Sequence, residues 1–141
     1  MAAKGAALAE RHPPDPLNIT LPAEPANLAH SRNRLREWLA ATGLDAQSCS
    51  DVLLAVGEAT ANATEHAVVG APGLVEITVD AHFSGDRLRI SVSDTGRWKP
   101  SAQSAGPRGH GILLINALVD SVEMQTGPAG TTVTMVKELA R

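Results

Sequence analysis

The sequence predicts an α+β two-layer sandwich: a mixed, largely antiparallel sheet with its helices on one face. Three observations carry that prediction. Two segments of strict period two, residues 75–81 and 88–92, flank Ser84, Gly85 and Asp86, which reads as a hairpin with one wet face. Two stretches, residues 24–41 and 51–69, carry apolar residues at helical spacing. The whole chain then runs strand, helix, helix, strand, strand, loop, helix, strand, strand, an order that suggests a single sheet with its helices on one side.

Residues 1–16 are Ala-rich, and Pro13, Pro14 and Pro16 block helix and sheet alike, so a mobile tail is expected ahead of one domain over 17–141. Leu17, Ile19 and Leu21 alternate with polar residues in a short strand closed by Pro22. The helix of 24–41 puts Leu28, Leu35, Trp38 and Leu39 on one side and stops at Gly43. That apolar edge serves either the core or a partner, and core is the favoured reading. Ser48 or Ser50 is the expected cap of the second helix, which ends at Gly70 and Pro72. In the hairpin, Val75, Ile77, Val79 and Ala81 face the same side as Leu88, Ile90 and Val92. Ile112, Leu113, Ile115, Leu118 and Val119 read as a buried helix. Strands over 121–126 and 131–137 close the chain around a turn at Gly127, Pro128, Ala129 and Gly130.

With 141 residues and 43% apolar content the chain is long enough for one real core. Its net charge of −3, with no Tyr, one Phe and two Trp, disfavours a nucleic-acid module. The longest strongly apolar run, 112–115, is far short of the roughly 20 residues that span a bilayer, and no signal-type stretch opens the chain, so a cytoplasmic protein without membrane contact is expected. Cys49 is alone, which excludes an internal disulfide, and a small buried side chain is preferred to a reactive thiol. No Cys/His group has zinc spacing.

The second helix holds the chemistry. Glu58, Asn62 and His66 stand four apart, drifting only about 80° around it, beside the apolar stripe of Val52, Val56, Ala59, Ala63 and Ala67. A solvated face is the bland reading, but the helix carries no Lys or Arg. Asp94 continues the inward parity of Leu88, Ile90 and Val92, so it is either a turn residue in Asp94-Thr95-Gly96 or a rim carboxylate that wants a donor. Residues 97–108 have no periodicity, and a loop of that length is more often functional than accidental. It leads to Gly109, His110 and Gly111 at a helix start, where free amides and the helix dipole favour a phosphate. That pattern is neither a Rossmann fingerprint nor a Walker loop. Thr131 shares inward parity with Val133 and Met135.

Taken in this order, the motifs resemble the ATP-binding domain of GHKL proteins, the Bergerat fold, and within that group the anti-sigma factor serine kinases. The likeness covers about residues 17–139. The helix from Glu58 through Asn62 to His66 matches the family's N-box, Asp94 to Gly96 its first glycine box, Gly109 to Gly111 its second, and Gly130 to Val133 its closing strand. The resemblance implies that Glu58 is the general base and that Asn62 holds Mg²⁺ through its amide oxygen. It implies further that Asp94 accepts from the adenine amino group with Thr131 in support, and that the amides of Gly109, His110 and Gly111 meet the phosphates under a lid of residues 97–108. Arg108 stands where related kinases place an arginine. Trp98 stands where the family often has a second glycine. For His66, a hydrogen-bonded structural role is preferred to a nucleotide contact.

The activity so implied is an ATP- and Mg²⁺-dependent serine/threonine protein kinase that binds a sigma factor and phosphorylates an anti-anti-sigma protein of STAS type, in a class whose members often pair as homodimers. The alternative is a nucleotide-gated, partner-switching binding module with little catalysis. A sensor histidine kinase fragment is the weaker reading, because no dimerisation helix with a phosphoacceptor His precedes the domain in this chain.

Overall fold

Alternation of side chains along five strands decides the architecture. The computed structural model describes residues 15–70, 75–96, 109–127 and 130–138. Within them lie β1 (Leu17–Pro22), α1 (Pro25–Ala40), α2 (Ala46–Gly70), β2 (Glu76–Ser84), β3 (Arg87–Asp94), α3 (Gly109–Leu118), β4 (Ser121–Gly127) and β5 (Gly130–Glu138). The strands form one sheet in the order β1-β2-β3-β5-β4. The sequence left room for a mixed sheet, but every pairing among the described residues is antiparallel. Local periodicity does not contain that information, since it is set by long-range partners.

The register turns the inward-facing residues into rungs that cross the sheet. Ile19, Val79, Val92, Val133 and Met124 make one rung, and Leu17, Ala81, Ile90, Met135 and Val122 the next. At one end of the sheet the rung changes character, from Leu21 and Ile77 to Asp94, Thr131 and Thr126. At the other end Phe83 and Leu88 continue into Lys137. The opposite face is polar: Asn18 bonds Asp80, Thr20 lies 3.0 Å from Thr78 between hydroxyls, and Thr132 donates to Ser93 at 3.3 Å. Helices therefore cover one face only, as expected.

Their apolar stripes supply the other half of the core. Leu35 and Leu39 of α1, Val52, Ala55, Val56, Ala59 and Ala63 of α2, and Ile115 of α3 are buried against the strands. Each large side chain so buried stabilises the fold by roughly 1.5–3 kcal/mol. Trp38 belongs to this packing: its ring stacks on Phe83 with centroids 5.6 Å apart, and its Nε1 donates to the Asp15 carbonyl at 2.8 Å. The apolar edge of α1 thus serves the core.

Two expectations need correction. The cap of α2 is Asp45, not Ser48 or Ser50: Asp45 Oδ2 accepts from the Ser48 amide at 3.0 Å, and the helix starts at Ala46, well before the first apolar position that marked it in the sequence. That amide holds the Asp45 carboxyl below its usual pKa. The other concerns α3, which is not buried all round. Ile115 is enclosed, but Leu113 is 64% and Leu114 39% exposed, because the helix rests on α2 and β4 with one side only. The loop of residues 97–108 and residues 1–14 of the expected tail lie outside the described residues.

Candidate functional site

The buried polar side chains fall into two groups. Ser31, Thr42 and Thr60 spend their hydroxyls on carbonyls three or four residues back in the chain, at 3.0, 2.6 and 3.0 Å. Asn62, Asp94 and Thr131 are different: they are 7%, 5% and 3% exposed, and none has such a local carbonyl partner. These are three of the residues that the sequence singled out.

Asn62 sits one helical turn beyond Glu58 on α2, with buried Ala59 and Ala63 beside it. Glu58 is half-buried. The solvated-face reading therefore fails for Asn62. Its side chain makes no hydrogen bond with the described residues, and an amide buried in that state costs about 1–3 kcal/mol. A group that supplies it with a partner recovers that cost.

Asp94 ends β3 directly across from Thr131 in β5. Both readings of Asp94 hold at once. Its Oδ1 accepts from the Gly96 amide at 3.0 Å, closing the turn, while the carboxylate stays in the inward rung. Thr95 fastens this turn to β2, accepting from the Glu76 amide through Oγ1 at 3.0 Å and donating its own amide to the Glu76 carbonyl at 3.2 Å. Gly96 is buried beneath. Gly130, next to Thr131, takes φ +139°, and a Cβ there would overlap the Asp94 carbonyl oxygen. The close approach of β5 to β3 at this corner requires glycine. The sequence reading included Gly130 in the closing strand but missed this role, whose signal was a glycine directly before an inward-facing threonine.

Gly109, His110 and Gly111 form the first turn of α3, so their amides belong to the group without intrahelical acceptors. No acidic residue in that turn opposes an anion. α2, which carries Glu58 and Asn62, packs against both α3 and β3. The side chains of His66 and His110, and all of Arg108, lie outside the described residues. No set of three His, Cys, Asp or Glu among the described residues has the makings of a metal site, so a cation here would need acceptors from its ligand as well. A small apolar hollow between α1 and the β1–β2 pair, lined in part by Leu28, Ile77 and Val79, has room for about one water. Cys49 is half-buried, with burial pushing its thiol pKa up.

The histidine kinase-like ATPase domain, as a family model, matches residues 21–137. The chain belongs to that family. Among ATPase-domain relatives it is 32% identical over 143 residues to the serine-protein kinase RsbW of Bacillus pumilus, covering 90% of this chain and 88% of the relative. It is 30% identical over 138 residues to RsbW of Listeria innocua, covering 87% of each. A crystal structure of the RsbU and RsbW domains of Rv1364c from Mycobacterium tuberculosis superposes with a TM-score of 0.74 at 34% identity, covering 93% of this chain and 34% of the mycobacterial one. The SiaB–SiaC complex structure from Pseudomonas aeruginosa shares the fold, with a TM-score of 0.61 at 15% identity over 85% of this chain and 88% of that one. The ATPase-domain match leaves out most of β1 and the last residue of β5, and includes Glu58, Asn62, Asp94, Gly109 and Thr131.

Proposed function

We propose that this ATPase-domain protein is a serine/threonine protein kinase that transfers the γ-phosphoryl group of ATP to a hydroxyl of an anti-anti-sigma protein of STAS type, and that it also binds a sigma factor. The observation that carries the reading is the buried amide of Asn62, without a hydrogen-bond partner among the described residues, one turn from the Glu58 carboxylate. Similarity to serine-protein kinases over most of the chain supports it.

Each residue then has a task. Asp94 accepts from the adenine amino group, with the Thr131 hydroxyl beside it and Gly96 keeping the turn narrow. Gly109, His110 and Gly111 offer amides to the phosphates. Asn62 would hold Mg²⁺ through its amide oxygen, since this hard cation takes oxygen ligands and keeps substrate phosphates among them. When bound, Mg²⁺ neutralises charge on the phosphate oxygens. Glu58 takes the proton from the attacking hydroxyl as its oxygen bonds to the γ-phosphorus and the bond to the ADP oxygen breaks. Positioned general bases contribute typically 10²–10⁴-fold. Two copies pair as a homodimer in this reading. No helix among the described residues is long and apolar enough to cross a membrane.

The test is Glu58→Ala beside the wild type, each mixed with ATP, Mg²⁺ and a STAS-type candidate partner, with intact mass and calorimetric ATP titration as readouts. The partner gains one phosphate with the wild type only, while both proteins bind ATP. Undiminished phosphorylation by the variant sinks the role of Glu58. Nucleotide-dependent complex formation with no mass gain in either case identifies a binding module instead.

A further inference from the structure

At the end of the sheet opposite Asp94, one ammonium group ties together three elements. Lys137, in β5, donates from Nζ to the Leu118 carbonyl at 3.0 Å and pairs with Asp51 Oδ2 at 3.4 Å. Leu118 is the last residue of α3, whose own last turn has no basic residue, so Lys137 supplies the cation for the negative end of that helix dipole. Asp51 lies in the early turns of α2, and its Oδ1 accepts from Gln47 Nε2 at 3.0 Å. The segment after α3 is fixed to the same strand: the Asp120 amide donates to the Val136 carbonyl at 2.9 Å, and Asp120 Oδ2 accepts from the Glu138 amide at 2.6 Å.

The pin stands far from Gly109 and Asn62, yet it grips the C-terminal end of α3 and the early turns of α2. Eleven residues along α2 from Asp51, a rise of about 16 Å, lead to Asn62; nine residues back along α3 from Leu118, about 14 Å, lead to Gly109. The two helices pack on each other, so these points come to similar height. A tilt of α3 by about 4° about its pinned end moves its first turn by about 1 Å over that length. Misplacement on that scale costs up to about 10²-fold in a positioned reaction.

We propose that Lys137 is a positioning residue: by holding the Leu118 carbonyl and Asp51 together, it sets the angle between α2 and α3 and so aims the amides of Gly109 and Gly111 at the phosphates. The inference rests on the phosphate site assigned above. Adenine recognition sits on the sheet, at Asp94 and Thr131, and does not depend on that angle.

The experiment uses the full chain as wild type, Lys137→Met and Lys137→Arg, with Asp51→Asn as a milder break should Lys137→Met not fold. Amide resonances of Gly109 and Gly111 are recorded without ligand, and affinities for ATP with Mg²⁺ and for adenosine are titrated. In Lys137→Met both glycine amides shift, ATP binding weakens about tenfold and adenosine binding holds; Lys137→Arg keeps the wild-type values, and Asp51→Asn moves the same readouts in the same direction by less. Unmoved glycine amides in Lys137→Met, or in Asp51→Asn if that is the variant that folds, overturn the proposal, and so does an equal loss of ATP and adenosine. A wild type that binds ATP no better than adenosine removes the phosphate site itself, and the glycine amides still report whether Lys137 holds the helix.

Discussion

Replacing Gly130 with alanine puts a methyl group where the backbone of β3 already lies. The new carbon would stand 2.9 Å from the Asp94 carbonyl carbon and 3.2 Å from Thr95 Cα, and would overlap the Asp94 carbonyl oxygen. Carbon atoms pack at about 3.5–4.0 Å, and these are main-chain atoms of a paired strand, which have no rotamer to escape into. Overpacking of this kind costs about 1–3 kcal/mol, and φ +139° in a residue with a Cβ adds about 1–3 kcal/mol. The sum, roughly 2–6 kcal/mol, lowers Tm by about 6–18 °C at about 3 °C per kcal/mol for a domain of this size. Because the relief is a shift of Asp94, ATP affinity falls as well, by about tenfold or more if one charged hydrogen bond of about 1.5–3 kcal/mol is lost. Gly127→Ala is the control. Gly127 is the cross-strand partner of Gly130, has no positive φ and has nothing within 4 Å of a built Cβ, so its variant melts close to the wild type. Thermal melts with and without ATP read both effects. A Gly130→Ala protein that melts within about 2 °C of the wild type and binds ATP unchanged refutes the reasoning.

Asn62→Ala removes a buried amide that has no hydrogen-bond partner among the described residues, so the apo protein stays within about 1 kcal/mol of wild-type stability while the Tm rise on adding ATP and Mg²⁺ largely disappears; a loss above about 2 kcal/mol without ligand would show that the amide has a structural partner. Asp45→Ala removes the cap of α2 and costs about 1 kcal/mol near neutral pH. Since the folded-state pKa of Asp45 is depressed, that contribution is present above its ordinary pKa and fades as pH falls through the depressed one, so urea midpoints of the two proteins converge in acid. Gly57→Ala, mid-helix with nothing within 4 Å of the added carbon, stabilises by about 0.5–1 kcal/mol in urea titration.

What the sequence disclosed and what it withheld divide along a physical line. Strand parity is local, so Asp94 and Thr131 were assigned to the inward face from their neighbours alone, and the register then set them side by side. Helix spacing likewise put Glu58 and Asn62 on one face. Sheet direction, the exposure of Leu113 and the grip of Lys137 on Asp51 and Leu118 depend on residues far away in the chain, and no periodicity encodes them. Nothing in the periodicity marks Asp45 as the cap, because α2 begins well over a turn before its apolar stripe.

The strand order has a kinetic side. β2 and β3 close on a short turn, as do β4 and β5, whereas β3 meets β5 only after α3 has been laid down between them. Short loops close early and long ones late. Asp94 and Thr131 form the terminal pair of that β3–β5 seam. A nucleotide held by both would act as a clasp across the seam, and amide exchange there would slow in proportion to occupancy, making the order in which the sheet zips up and the order in which it is protected two readings of one joint.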